Sequence, residues 1–176
     1  MGTKSELLAQ LENAKNNYIL GHAALSLFAE PQVYPLLERQ SASFGTYTIT
    51  FDQVARLLRV PSDRDIALKE FLTMLLRALI KESFELLRDY SAATGQTSVL
   101  KSQGWYQFAR LIRNCISHNF MFEFSTYDKT LLPVTWGGRT IEAAMDRQFL
   151  PLSFFGYVEA WELFAIFKSF ASTILS

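Results

Sequence analysis

Arg113, Asn114 and His118 are the residues of this chain whose types and spacing could carry out chemistry. A guanidinium group binds phosphate oxygens through two parallel hydrogen bonds and keeps its charge. An imidazole takes up and returns a proton near neutral pH. Together they are the minimum for metal-free cleavage of RNA. In that reaction a base activates the ribose 2′-hydroxyl, a cation stabilises the phosphorane, and an acid protonates the leaving 5′ oxygen.

This reaction needs two groups for proton transfer, and the set contains a single histidine, His118. The acid and the base would most simply come from two copies of the chain, which favours a homodimer. The composition agrees with this, because 49% of the residues are hydrophobic and only 19% are charged. So little polar surface indicates a second buried surface, such as an interface between copies.

The three residues lie in the segment 101–119, whose hydrophobic pattern predicts a helix with two distinct sides. The apolar side should face the core and consists of Trp105, Phe108, Ala109, Leu111, Ile112, Cys115 and Ile116. The polar side consists of Gln103, Tyr106, Gln107, Arg110, Arg113, Asn114, Ser117 and His118. Because the polar side has no carboxylate, the sequence predicts an uncompensated cationic cluster, which is either a solvated surface or an anion site.

Arg113 and His118 are five residues apart, so their directions on a helix differ by about 140°. They can converge on one ligand only at the end of the helix, or where a partner element brings another face to it. Asn114 lies between them in angle, and its amide could donate a hydrogen bond to a neutral imidazole at position 118. A cation in the last turn also stabilises a helix by about 0.3–1 kcal/mol without any function, so a purely structural role stays open.

The motif Arg113-Asn114-x-x-x-His118-Asn119 resembles that of the HEPN superfamily, which has an Arg, a polar residue that is often Asn, three variable residues and a His. The resemblance is specific over residues 113–119 and is supported more loosely by the long helices elsewhere. It implies a dimer in which two motifs meet at the interface. Arg113 and His118 would then be the catalytic pair, and Asn114 would orient them.

The resemblance also implies one of two functions. Many such proteins are metal-independent endoribonucleases of toxin–antitoxin, phage-defence or CRISPR-linked systems, with an antitoxin or regulatory partner possible. Others have lost activity and bind RNA, a nucleotide or a partner protein. Arg110, Ser117 and Asn119 are the candidates for further substrate contacts. One branch has a Tyr two positions after the His, which its antitoxin modifies; Phe120 stands there, so that regulation is not expected.

The rest of the sequence offers no competing chemistry. It has no Cys or Cys/His pairs spaced for zinc and no glycine-rich phosphate loop, so neither a metal nor a cofactor is expected. Cys115 is the single cysteine and should be a small buried hydrophobe in a reducing compartment. Lys and Arg together number 17, as do Asp and Glu, so any contact with nucleic acid would be local. The sequence predicts neither a signal peptide nor a membrane-spanning helix, and we expect a cytoplasmic protein.

The remaining pattern predicts a helical scaffold forming one domain over residues 1–176. Apolar spacing and helix breakers predict further helices over 5–30, 50–59, 63–93 and 151–173. Segment 41–48, rich in Ser, Thr and Gly, should be a loop. Extended runs on both sides of Gly137-Gly138 predict a hairpin. The fold class is therefore all-α, a HEPN-like bundle of about five helices with a small β-hairpin insertion around 121–143.

Overall fold

The computed structural model describes residues 2–176. Within this range the chain forms eight α-helices: α1 (Lys4–Phe28), α2 (Tyr34–Leu37), α3 (Asp52–Arg59), α4 (Pro61–Ala93), α5 (Thr97–Lys101), α6 (Tyr106–Ser117), α7 (Thr126–Leu131) and α8 (Tyr157–Thr173). Two antiparallel hairpins complete the regular structure: β1 (Ser41–Phe44) with β2 (Tyr47–Thr50), and β3 (Val134–Trp136) with β4 (Arg139–Ile141). Short 3₁₀ turns lie at Pro31–Val33 and Ala143–Met145.

The mainly helical class with a β insertion is confirmed, whereas two details of the sequence prediction are wrong. The five predicted helices correspond to α1, α3, α4, α6 and α8, and the short helices α2, α5 and α7 were not predicted. Segment 41–48 is not a loop, because Ser41–Phe44 pairs with Tyr47–Thr50 through a turn at Gly45. Both strands of this hairpin are almost entirely exposed, so they lack the apolar alternation that identifies a strand.

The predicted hairpin at 121–143 is confirmed over a shorter range, with Val134 opposite Ile141 and Trp136 opposite Arg139. Residues 120–124 do not belong to it. They run antiparallel to 146–150, with an isolated bridge between Met121 and Phe149. The insertion is therefore two pieces of extended structure with α7 between them.

The chain divides into two compact units, and each is described separately. The first comprises residues 2–16 and Leu76–Ser176 and contains the predicted site. Aromatic rings join its three main helices. Phe84 of α4 lies 6.0 Å from Phe167 of α8, and Phe167 lies 5.1 Å from Trp105, the residue before α6. Phe108 of α6 belongs to a second group of rings and lies 5.2 Å from Trp136 of β3. The prediction of a single domain stays a prediction.

The second unit comprises Asn17–Leu75, in which a small apolar cluster joins the short helices. Its buried members are Tyr34, Ala55 and Leu58, with Phe28, Leu37 and Leu68 partly buried around them. Gly21 of α1 makes a close approach to α4, since a Cβ at this position would lie 2.4 Å from a methyl carbon of Leu75. A larger residue at position 21 would therefore force the two helices apart.

No helix in the described part of the chain has an apolar stretch long enough to cross a bilayer.

Candidate functional site

Helix α6 positions the predicted site, and its two sides separate much as its sequence predicts. The seven residues of the predicted apolar side are all buried, namely Trp105, Phe108, Ala109, Leu111, Ile112, Cys115 and Ile116. Tyr106 is the exception on the polar side. It is buried because its ring packs 5.7 Å from that of Phe84 on α4, and burial raises the pKa of its hydroxyl. Burial of one whole side fixes the direction in which the polar side chains project.

Arg113 is held from two directions. Its Nη2 forms an ion pair with Glu85 of α4, and its Nη1 donates a hydrogen bond to Oδ1 of Asn114 at 3.0 Å. About a fifth of the Arg113 side chain and a third of the Glu85 side chain are exposed, so the pair faces solvent at one edge. The guanidinium plane is therefore fixed before any ligand binds, and Asn114 orients Arg113 directly.

His118 is the residue at which α6 ends, and its side chain is more than half exposed. Its Nδ1 lies 3.4 Å from Oε2 of Glu123, and Oε1 of the same carboxylate accepts from Nη1 of Arg147 at 3.0 Å. The predicted bond from the Asn114 amide to the imidazole is not formed, since Asn114 meets residue 118 only through its backbone carbonyl. Glu123 is therefore the carboxylate that lies beside the ring, at a distance longer than an ordinary charged hydrogen bond.

The backbone after His118 turns sharply. Asn119 and Phe120 both have positive φ, at 54° and 62°. Asn tolerates this left-handed region, whereas a Phe there is rare and costs about 1–3 kcal/mol. The strained turn is held by hydrogen bonds from the backbone N–H of Leu150 to the carbonyl of Phe120 at 2.7 Å and from that of Phe122 to the carbonyl of Gln148 at 2.9 Å. It brings Glu123 back beside His118, which a continuing helix would not do.

The three candidates for further substrate contacts differ in their surroundings. Arg110 is bound within the protein: its Nη2 lies 2.6 Å from Oδ1 of Asp128, and its Nε donates to Oε1 of Gln107 at 2.9 Å. Ser117 is exposed and donates from Oγ to the backbone carbonyl of Arg113 at 2.9 Å. Asn119 is exposed beside His118. Ser117 and Asn119 are thus open to a ligand, whereas Arg110 would have to leave its carboxylate.

The prediction that no carboxylate compensates the basic residues on the polar side of α6 is wrong. Each basic side chain of the polar side lies beside a carboxylate from another part of the chain: Glu85 for Arg113, Glu123 for His118 and Asp128 for Arg110. The sequence of α6 does not show which carboxylates lie beside its basic residues. Asp128 alone had a local signal, because Ser125-x-x-Asp128 has the spacing of a capping box that opens a short helix.

Two basic residues of α4 near the site, Arg77 and Lys81, were not identified from the sequence. Arg77 of α4 lies over the ring of Phe120, with its guanidinium carbon 5.5 Å from the ring centroid. Lys81 follows one turn later on the same side of α4, and Glu85 one turn after that. Within residues 2–176 neither Arg77 nor Lys81 has a carboxylate oxygen within 4.0 Å. Net positive charge next to the motif therefore comes from α4 rather than from α6.

Cys115 behaves as the sequence predicts. It is buried on the apolar side of α6, and burial raises the pKa of its thiol to about 12. The thiol therefore stays protonated at neutral pH and is a poor nucleophile. In the described part of the chain, no three His, Cys, Asp or Glu side chains come together in a group that could hold a metal ion.

Replacing Asp128 by asparagine should lower the free energy of unfolding by about 2–3 kcal/mol, because the substitution removes the buried ion pair with Arg110 and weakens the hydrogen bond from Ser125. Burial raises the pKa of Asp128, but its bonds to Ser125 and Arg110 outweigh burial and lower the pKa below its ordinary value. The ionised carboxylate therefore stabilises the fold above that ordinary value, and this contribution is lost as the pH falls through the lowered pKa.

Chemical denaturation of the two proteins across pH measures this effect. The difference between their free energies of unfolding should be largest at neutral pH. It should shrink as the pH falls through about 4 and vanish only below the lowered pKa of Asp128. Asp89→Asn is the matched control, because Asp89 also pairs with an arginine, Arg88, but is exposed; it should leave stability unchanged. Equal effects of the two substitutions would contradict the assignment of this contribution to the buried pair.

Comparison of the chain with family models, with curated proteins and with solved structures finds no match. The resemblance to the HEPN motif therefore rests on residues 113–119 and on the helical scaffold around them.

Proposed function

We propose that this chain is a metal-independent endoribonuclease of HEPN type. It acts as a homodimer in which the Arg113-Asn114-x-x-x-His118 motifs of two copies form one RNA-cleaving cleft. The setting that suits such an enzyme is a toxin–antitoxin or phage-defence system, with an antitoxin or regulatory protein as a further partner. The observation that carries the proposal is the geometry of the motif: Glu85 and Asn114 hold the guanidinium of Arg113, and Glu123 lies beside the imidazole of His118.

The reaction follows from the properties of these groups. Nε2 of one His118 takes the proton of a ribose 2′-hydroxyl, whose oxygen attacks the adjacent phosphorus. The bond from phosphorus to the 5′ oxygen breaks, and His118 of the partner copy gives that oxygen a proton. The products are a 2′,3′-cyclic phosphate and a 5′-hydroxyl. Glu123 stabilises the imidazolium that forms during the transfer, since it lies beside Nδ1.

Arg113 stabilises the phosphorane in this scheme. Its charge is permanent, and Asn114 and Glu85 already fix its plane, so little reorganisation is needed when negative charge develops. Glu85 competes with the phosphate for the same guanidinium. Arg77 and Lys81 offset that competition, because they add positive charge along the side of α4 that carries Glu85.

The alternative is a non-catalytic HEPN-like module that binds RNA, a nucleotide or a partner protein in the same cleft. The ion pairs of Arg110 and Arg113 favour it, because each guanidinium already shares its charge with a carboxylate and is a weaker stabiliser of a phosphorane. Binding without turnover distinguishes this alternative from the proposed enzyme.

Purified protein in excess EDTA should cleave an unstructured RNA oligonucleotide and leave 2′,3′-cyclic phosphate ends, because the reaction uses only side chains. Mass spectrometry of the products identifies the ends, and light scattering of the same sample should give the mass of two copies. The matched control is an oligonucleotide with 2′-deoxyribose throughout, which lacks the nucleophile and should stay intact. RNA that stays intact but is bound would contradict the enzyme and support the binding module.

A further inference from the structure

Tyr127 presents an aromatic ring to solvent close to the motif. It is the second residue of α7 and is 60% exposed. The guanidinium carbon of Arg110 lies 5.6 Å from the centroid of this ring. Arg110 belongs to the same polar side of α6 as Arg113, one turn earlier. An exposed tyrosine backed by an arginine therefore lies next to the residues proposed to act on RNA.

The place of this ring is fixed by the residues on both sides of it in the chain. Ser125 and Asp128 form a reciprocal capping box, with the Ser125 backbone N–H donating to Asp128 Oδ2 at 2.9 Å and the Asp128 N–H donating to Ser125 Oγ at 3.1 Å. The buried Asp128 carboxylate then pairs with Arg110 on α6. The first turn of α7, and Tyr127 with it, is thereby attached to the side of α6 that carries the motif.

The stability of the fold does not by itself explain why the Asp128–Arg110 pair holds Tyr127 in this position. Two apolar residues of the same size stabilise a fold about as well as a buried ion pair does, because the pair must first lose its water. Tyr127 also leaves most of its ring in water, where it contributes little to the core. What the arrangement does achieve is to hold one open aromatic face at a defined position. That is the requirement for stacking a nucleic-acid base, which contributes about 1–3 kcal/mol per base.

The position along α6 suits a short stretch of RNA. Arg110 precedes Arg113 by three residues and His118 by eight, which at a rise of about 1.5 Å per residue corresponds to about 4.5 Å and about 12 Å along the helix. A base on the Tyr127 ring would thus lie within a few nucleotides of the bond to be cleaved. In a duplex the faces of the bases are covered by their neighbours, so only unpaired bases can use such a ring.

We propose that Tyr127 is a stacking site for an unpaired base, with Arg110 as the residue that positions its ring. This inference rests on the proposed ribonuclease function for the nature of the ligand. It differs from that function in what it requires, because stacking is a binding property that does not depend on turnover.

Binding is measured in a His118→Ala background, so that RNA stays intact. The probe is a fluorescently labelled, unstructured RNA of about 12 nucleotides, a length within the span of one single-strand binding site, and fluorescence anisotropy gives its Kd. Adding Tyr127→Ala should weaken binding about 5- to 150-fold, as expected from the loss of one stacked base. Tyr127→Phe keeps the ring and should stay within about twofold of the parent. Tyr47→Ala removes another exposed tyrosine, on β2, and should change nothing.

A blunt duplex of the same length distinguishes stacking from charge, because Tyr127→Ala should leave its binding unchanged. The proposal is overturned if Tyr127→Ala binds the single strand as tightly as the parent, if single strand and duplex weaken equally, or if the parent does not bind the single strand at all. The ribonuclease proposal fails in a different way. If the wild-type protein leaves RNA intact while Tyr127→Ala still lowers the affinity for the single strand, the ribonuclease proposal is contradicted and the stacking site is supported.

Discussion

Replacing His118 by alanine should lower the rate of RNA cleavage about 10³-fold or more, because in a homodimer the substitution removes the base and the acid together. The fold should be unaffected, since the side chain is 55% exposed and residue 118 takes part in the end of α6 through its backbone. Circular dichroism and the unfolding midpoint of the variant should therefore match those of the wild type, while single-turnover cleavage reports the loss.

Added imidazole gives this prediction a second readout. The space left by the missing ring opens to solvent, so a free imidazole can enter it and should restore part of the activity of His118→Ala. His22→Gln is the matched control, because it changes the other histidine of the chain, which lies in the second unit, and it should cleave at the wild-type rate. Cleavage by His118→Ala at the wild-type rate would assign the activity to another group or to a contaminating nuclease.

Replacing Arg113 by lysine should lower the cleavage rate about 10²-fold, although the charge is kept. The guanidinium reaches Glu85 and Asn114 with different nitrogens and can present a further N–H to phosphate. A lysine ammonium is a single point charge, so it would stay with Glu85 and leave the phosphorane without a fixed donor. Rates measured at saturating RNA separate this loss from a loss of binding.

Two further variants locate the cause of the Arg113 effect. Arg88→Lys makes the same change at an exposed arginine of α4, paired with Asp89, and should leave the rate unchanged. Glu85→Gln removes the competing charge while keeping an amide oxygen for Arg113, so it should tighten RNA binding. A rate for Arg113→Lys within about threefold of the wild type would show that charge alone suffices and would contradict the role assigned to the guanidinium plane.

The apolar side of α6 could be predicted because burial follows a helical period that one sequence displays completely. The end of α4 could be predicted for a similar reason. Gly95 has a φ of 72°, and its N–H donates to the carbonyl of Ala92, which is how a glycine ends a helix. Both features are local, and local features are the ones that residue spacing records.

The partners of the motif could not be predicted, because they come from distant parts of the chain. Glu85 lies 28 residues before Arg113, and nothing in either helix specifies that their side chains meet. Glu123 is close to His118 in sequence, but it reaches the ring only because two consecutive residues, Asn119 and Phe120, have left-handed backbone conformations. The sequence does not predict these conformations. The predicted bond between Asn114 and His118 is not formed because the Asn114 side chain is turned to Arg113, from which its Oδ1 accepts a hydrogen bond.

The ladder between residues 120–124 and 146–150 links the position of Glu123 to the core of the first unit. Phe122 donates to Gln148 and accepts from Arg147 at 2.8 Å, and few further backbone bonds hold the two segments together. Opening this ladder would free Glu123 from His118, and it would also expose Phe122 and Leu150, which are buried. The free energy that protects the contact between Glu123 and His118 from thermal fluctuation therefore includes the burial of these two side chains. Amide exchange at Phe122 and Leu150 reports it without any substrate.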